Sequence, residues 1–299
     1  MIKVRVPATS ANLGPGFDSL GISLSIYNEY EFSLEENKGL FFEGIEKEFQ
    51  NEDNIIFMAI KKVFNKYDFK FTGLRIKIIK QDIPISRGLG SSSSCIVAGL
   101  IGAFALMNKE INRDEILSLA VEIEGHPDNV CPAIFGGLVS TIMSDNKKPL
   151  YNCVDVKEGV KFIALIPRFK LSTEKARAIL PKEVPFRDCI YNIGRAALLI
   201  SCFSNGNYAL LREATKDKIH EQFRSRLIDN FDEVYNKVLE LGAFSCFLSG
   251  AGPTLMAIVD KEDINFVNRF RGFMSEQNIN WDIKELTIDK HGAKILKGE

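Results

Sequence analysis

Apolar and polar residues alternate along Ile2 to Val6 and, over a longer stretch, along Ile22 to Phe32, which predicts two strands bracketing a turn-rich segment. A third strand is predicted at Leu74 to Ile79. Between them, Asn54 to Phe64 sets Ile55, Met58, Ile60, Val63 and Phe64 near helical spacing, the pattern of an amphipathic helix lying on a sheet. Ser92 to Met107 is apolar on nearly every face and predicts a central buried helix. Asn112 followed by Glu115 resembles a capping box and opens a further helix running through Leu119 towards Glu122 or Glu124. Gly136 to Met143 and Phe162 to Pro167 read as strands, and Pro149 to Gly159 is where the chain is expected to change domain. Beyond it, helices are predicted at Thr173 to Leu180, Cys189 to Phe203, Phe231 to Leu241 and Ile264 to Gln277. Strands at Cys246 to Ser249, Thr254 to Asp260 and Trp281 to Leu286 interleave with them. This is an α+β pattern in both halves, with domains expected at 1–155 and 156–299 and no internal repeat.

Composition narrows the class of partner. Hydrophobic residues make up 45% and charged residues 26%, enough apolar surface for a packed core. The 38 Lys+Arg against 39 Asp+Glu exclude a nucleic-acid binder that relies on a strong basic field. Met1 to Ser10 carries Lys3, Arg5 and Pro7 and has no apolar run of the signal-peptide kind, so a cytoplasmic location is expected. The longest uncharged apolar run, Cys95 to Met107, falls short of the roughly 18 to 20 residues that span a bilayer, so no membrane partner is expected. Cys95, Cys131, Cys153, Cys189, Cys202 and Cys246 lie far apart with no C-x-x-C pair, which favours reduced, buried thiols over disulfides or a metal site.

The most informative segment for chemistry is Pro84-Ile85-Ser86-Arg87-Gly88-Leu89-Gly90-Ser91-Ser92-Ser93-Ser94, a Gly/Ser loop between a predicted strand and the buried helix. Gly88 and Gly90 permit positive φ and close backbone approach, and the helix start that follows presents unpaired N–H groups and partial positive charge. An anion, most naturally a polyphosphate, suits such a cradle, and a serine hydroxyl can reach a magnesium ion. A serine-capped helix after a glycine turn has the same spelling without any ligand. No Lys follows the glycines as in a Walker loop, Gly88-Leu-Gly90-Ser-Ser-Ser is not G-x-G-x-x-G, and no G-x-S-x-G elbow occurs.

Two more segments complete a pattern: Pro7-Ala-Thr-Ser-Ala-Asn-Leu-Gly-Pro-Gly-Phe-Asp-Ser-Leu-Gly21 after the first strand, and Phe247-Leu-Ser-Gly-Ala-Gly-Pro-Thr-Leu255 near the C-terminus. With the central loop, in this order and spacing, they resemble the three signature motifs of the GHMP small-molecule kinases over the whole chain. Within that superfamily the chain is similar to the homoserine kinase family through Ser10 to Asp18, His126-Pro-Asp-Asn-Val130 running into Phe135-Gly-Gly137, Ser172 to Pro181, and His220-Glu-Gln-Phe-Arg224. Ser94 and Cys131 stand where alanine is usual.

The resemblance implies a two-domain GHMP kinase fold: a mixed α/β nucleotide-binding N-terminal domain with a left-handed-crossover type loop region, and a ferredoxin-like C-terminal sandwich. It implies ATP and Mg2+ as cofactors, phosphorylation of the L-homoserine hydroxyl on the way to threonine, and a homodimer. Another small alcohol, such as L-threonine or mevalonate, is the alternative substrate, and a binding module that has lost transfer is a further one. Pro84 to Ser94 would hold the nucleotide phosphates and Asn54 would lie near the adenine, although Asn54 equally suits a helix N-cap. Ser92 and a glutamate would hold the metal. Glu122 and Glu124 both qualify but point about 200° apart on a helix, and Glu122 is the expected ligand. Arg177 and Arg224, with Thr173, would take the substrate carboxylate, because a guanidinium fork binds two oxygens at once. Asn12, Asp18, His126 and the Gly250 loop would line the amino-acid site. Asn129 occupies the position of an aspartate base in other GHMP kinases. An amide orients a hydroxyl without accepting its proton, which leaves Asp128 as the rival base.

Overall fold

The computed structural model describes residues 1–296; residues 297–299, the end of the second expected domain, lie outside the described residues. The first half is built on β1 (Ile2–Ala11) paired antiparallel with β2 (Leu20–Glu35). β1 runs five residues past the alternating stretch because Val6 to Ala11 are buried on both faces, so the in-out pattern that marks a strand disappears there. β3 (Gly39–Glu43), α1 (Ile55–Lys66) and β4 (Gly73–Gln81) follow, with β3 parallel to β4 at the sheet edge. The central helix α2 (Ser91–Leu106) is apolar all round because neighbouring elements pack against it on several sides. A Cβ on Gly99 would lie 2.6 Å from the Ile56 carbonyl, and one on Gly102 would lie 2.5 Å from the Phe32 ring.

Asn112 caps α3 (Arg113–Glu124) by accepting from the Asp114 and Glu115 N–H groups. The Glu115 carboxylate does not close a capping box; it pairs with Lys66 at 2.7 Å and accepts from the Tyr67 hydroxyl at 2.6 Å. The periodicity gave no sign of α4 (Pro127–Phe135), a short helix with Pro127 in its first turn and Pro132 inside it. β5 (Leu138–Met143) and β6 (Pro149–Val154) form a hairpin on the start of β2, bringing this mixed sheet to six strands.

The second sheet begins at β7 (Val160–Pro167). It continues through α5 (Thr173–Ala178), α6 (Phe186–Asn205), α7 (Leu211–Ala214), α8 (Glu221–Arg224) and α9 (Phe231–Glu240). β8 (Ser245–Leu248), β9 (Leu255–Asp260), α10 (Phe266–Glu276) and β10 (Trp281–Leu286) complete it. The order β10-β7-β9-β8, antiparallel throughout, is that of a ferredoxin-like sandwich. The chain then returns to the first sheet, where β11 (Lys294–Leu296) pairs with β1.

Alternation along β7 divides the core. Phe162, Ala164 and Ile166 face Leu20 to Ile26 of the first sheet and Leu199 and Phe203 of α6; Ile163 and Leu165 face Val234, Phe266 and Phe270 of α9 and α10. One apolar layer is therefore shared by both sheets, and it fixes the walls of the cleft between them. All six cysteines are free thiols. Cys131, Cys202 and Cys246 are buried as expected, whereas Cys153 is exposed on the β6 edge. No helix among the described residues is long and apolar enough to cross a membrane.

Candidate active site

The three Gly-rich segments meet between the sheets. Ser249 Oγ lies 2.6 Å from the Gly88 carbonyl and 2.7 Å from Ser10 Oγ, the Gly250 N–H donates to Ala11 at 3.1 Å, and the Thr9 N–H donates to Leu89 at 3.2 Å. Glycine is required here: a Cβ on Gly88 would meet the Ser249 carbonyl at 2.3 Å, and one on Gly90 would meet Thr9 Oγ1 at 2.0 Å. Gly90, at φ 71°, is the left-handed N-cap of α2 and bonds no side chain to the first turn, so the helix presents its free N–H groups to a cleft of about 410 Å³.

At that helix start, Ser92 Oγ donates to Glu124 at 3.1 Å and Ser93 Oγ donates to it at 2.9 Å. Glu122 is not in the cleft. It is exposed and pairs with Lys62 at 2.7 Å, because the last turn of α3 turns position 122 towards α1 and position 124 towards α2. Glu124 therefore replaces Glu122 as the candidate metal ligand beside Ser92. Hydroxyl and carboxylate oxygens on one side of a phosphate cradle are the hard donor set that suits Mg2+. Of the loop residues, Ile85 to Gly88 and Gly90 to Ser93 line the cleft. Pro84 faces a groove behind the loop, and Leu89 is core. Ser94 is fully buried, its hydroxyl 2.7 Å from Tyr30 Oη and donating to the Ser91 carbonyl at 2.9 Å.

The other end of the cleft is charged. Asp18 receives a bidentate pair from Arg177 (2.6 and 3.1 Å). Burial disfavours charge on Arg177, but the Asp18 carboxylate more than restores it and holds that guanidinium above its ordinary range. Arg224 lies deeper, 1% exposed, and donates to the carbonyls of Ala176 (3.1 Å) and Gly250 (3.0 Å). Burial, then the neighbouring Arg177, lowers its pKa to about 10, so it stays charged at neutral pH. Both guanidinium groups lie over the Phe17 ring, at 5.4 and 5.1 Å. His220 supports Arg224 from behind: its Nε2 donates to the Gly14 carbonyl at 2.8 Å, which leaves Nδ1 facing Arg224 at 3.4 Å. Burial lowers the His220 pKa and favours this neutral form.

Asn12 is tied into its own loop, accepting from the Asp18 N–H (3.1 Å) and donating to Gly250 (3.0 Å). Gly250 has its N–H on Ala11 and its carbonyl on Asn12 and Arg224, so it holds other site residues in place instead of offering a free group. Thr173 is exposed at the start of α5 and lines the cleft. Asn129 accepts from Thr9 Oγ1 at 2.8 Å, which leaves its amide nitrogen nearest Asp128 at 3.4 Å. Asp128 is buried and bonded to His126 Nδ1 at 2.6 Å. Burial opposes a charged imidazole at His126, but this carboxylate outweighs it and raises the His126 pKa.

Asn54 serves as the α1 N-cap. Its oxygen accepts from Ile56 and Phe57, and its amide donates to Phe49 at 2.9 Å, so a base could meet only the flank of this side chain. Residues that sequence reasoning missed form the apolar end: Ile45 and Phe49 before α1, with Ile78 of β4. Thr9, Phe17 and His220 were missed as supports. Phe17 and Thr9 lie inside the first Gly-rich segment, and His220 stands four residues before Arg224, so spacing alone offered a signal for each.

Comparison with known proteins agrees with this geometry. Residues 54–137 match the GHMP kinases N terminal domain, and residues 199–273 match GHMP kinases C terminal. A homoserine kinase of Clostridium botulinum is 57% identical over 299 residues, covering 100% of both chains, and one of Clostridium beijerinckii is 55% identical over 298 residues, covering 100% of this chain and 99% of that one. The crystal structure of homoserine kinase from Cytophaga hutchinsonii superposes with a TM-score of 0.88 at 27% identity, covering 99% of this chain and 97% of that one. With full-length identity above half and both halves of the superfamily matched, the chain belongs to the homoserine kinase family of the GHMP kinases.

Proposed function

We propose that the chain transfers the γ-phosphoryl group of ATP to the side-chain hydroxyl of L-homoserine, giving O-phospho-L-homoserine and ADP. The observation that carries this reading is the pairing of two unmatched sites in one cleft: a helix start with free N–H groups at one end, and at the other a buried Arg224 that has no carboxylate within ion-pair distance among the described residues. Asp18, Asp128 and Asp217 act on this guanidinium only from beyond that distance, and a ligand that brings a carboxylate against it supplies the missing direct partner. An α-amino acid does so with its carboxylate, and its ammonium is matched by Asp18, which also lines the cleft. Arg177 then shares its fork between Asp18 and the incoming carboxylate.

Ser92 and Glu124 would hold Mg2+, which when bound neutralises charge on the phosphate oxygens. The α2 N–H groups and the Gly88–Gly90 backbone grip the phosphates. Ile45, Phe49 and Ile78 offer an apolar slot to the base. Asn129, fixed by Thr9, orients the hydroxyl. Asp128 is occupied by His126, so no free carboxylate stands at the reacting hydroxyl, and transfer relies on alignment and charge neutralisation. The test is coupled ADP release with homoserine, threonine, mevalonate, galactose and shikimate. Homoserine should be turned over in clear preference; preference for any other alcohol overturns the substrate while leaving the family intact.

A further inference from the structure

Arg87 belongs to the phosphate loop, yet it reaches through to the groove behind it and lines both the groove and the cleft. Its guanidinium donates to main-chain carbonyls of two separate segments. Nη1 donates to Ile85 (3.1 Å) within the loop, while Nε donates to Pro167 (2.9 Å) and Nη2 to Arg168 (2.7 Å) at the end of β7. One backbone bond closes the same seam, the Leu171 N–H donating to Ser86 at 3.1 Å, and a second ties the loop to the start of β9, the Thr254 N–H donating to Arg87 at 3.3 Å. Asp282, an acid lining the groove, is paired with Arg168 at 3.2 Å and leaves Arg87 to the carbonyls.

The two gripped segments serve opposite ends of the reaction. On one side the loop continues into Gly88, Gly90 and Ser92. On the other, the chain leaving β7 passes through Leu171 to Ser172, which caps α5, the helix that carries Thr173 and Arg177. We propose that Arg87 is a positioning residue that locks the phosphate loop to the 167–173 segment and so fixes the distance between the phosphoryl donor and the amino-acid end of the cleft; this rests on the two-substrate kinase reading above. Charge alone would not do this. A lysine offers donors from a single nitrogen, whereas the planar fork bridges carbonyls that lie apart. For Arg87 to contact ATP directly it would have to release the Pro167 and Arg168 carbonyls, leaving them without these partners.

The test is Arg87→Lys, which keeps the charge and most of the stem, with Arg87→Ala beside it. We expect Arg87→Lys to melt within about 4 °C of the wild type. Its kcat should fall about tenfold or more, and its KM for homoserine should rise although every homoserine contact is intact, since misplacement alone carries rate effects of about that size. The Kd for ADP alone, measured by calorimetry, should move less than about threefold, within the range of one weakened neutral hydrogen bond. Added guanidinium ion should restore part of the kcat of Arg87→Ala and none in the wild type. If nucleotide KM and ADP Kd shift in the same proportion with homoserine KM unmoved, Arg87 is an ATP contact and the proposal is wrong. It is equally wrong if Arg87→Lys matches the wild type. Should Arg87→Ala not fold, the lysine variant decides. Wild-type failure to release ADP from homoserine contradicts the kinase reading instead, which keeps the two failures distinguishable.

Discussion

Glu122 and Glu124 lie two residues apart in one motif, and only their placement on α3 separates a surface ion pair from a site in the cleft. Glu122 pairs with Lys62 in solvent, a contact worth little. Glu124 gathers two serine hydroxyls at the phosphate cradle. Glu124→Gln should therefore lower kcat about a hundredfold in the ADP-release assay, while Glu122→Gln stays within about twofold of the wild type. Glu221, which opens α8 three residues before Arg224, makes a pH prediction. Burial, then nearby Asp217, raises its pKa from 4.5 to about 8, while its carboxyl accepts the Leu248 N–H at 2.5 Å. The folded state thus holds a proton that the unfolded chain releases near its ordinary carboxylate pKa. This contribution to stability is complete below about pH 4.5 and is lost as pH rises towards about 8, on the order of 1 kcal/mol per unit at most. Glu221→Gln keeps the acceptor and removes the titration, so denaturant melts should show it more stable than the wild type at pH 8 and lacking this slope.

Among the elements, α1 and β2 lie where helical spacing and alternation placed them, α3 where its cap did, and α2, β7 and β9 where unbroken apolar runs did. β3 and β11 are short edge strands with no pattern to read, and β6 begins at a proline within what looked like a domain junction. α4 was hidden by its two prolines. Pro132 removes the N–H that would bond to the Asp128 carbonyl, and Gly21 of β2 packs against that carbonyl so closely that a Cβ would lie 1.8 Å from it. The site residues were legible because motif order survives folding; Ile45, Phe49 and Ile78 were not, because they join the cleft only through tertiary packing. The α2 N-terminus carries the prediction at this scale. Gly90→Ala places a Cβ 2.0 Å from Thr9 Oγ1 at a positive φ that costs about 1 to 2 kcal/mol for other residues. Calorimetry should show ATP binding weakened about tenfold with homoserine affinity nearly unchanged, since Arg177 and Arg224 lie on other elements.

Across the whole molecule, two sheets of different topology share one apolar layer, and the cleft opens where the three Gly-rich segments cross that layer's edge. A net charge of −1 is compatible with binding a polyanion and a zwitterion, because the chain meets them with local groups: backbone N–H donors at one end, and Arg224, Arg177 and Asp18 at the other. The central claim is that buried Arg224, which bonds two carbonyls and no carboxylate among the described residues, reads the substrate carboxylate. It is tested most directly by comparing L-homoserine with 3-aminopropan-1-ol, the same molecule without its carboxylate, in wild type and Arg224→Met. The wild type should prefer homoserine by about a thousandfold in kcat/KM, and the variant should lose most of that preference by losing activity on homoserine alone. An equal preference in the two proteins would contradict the account.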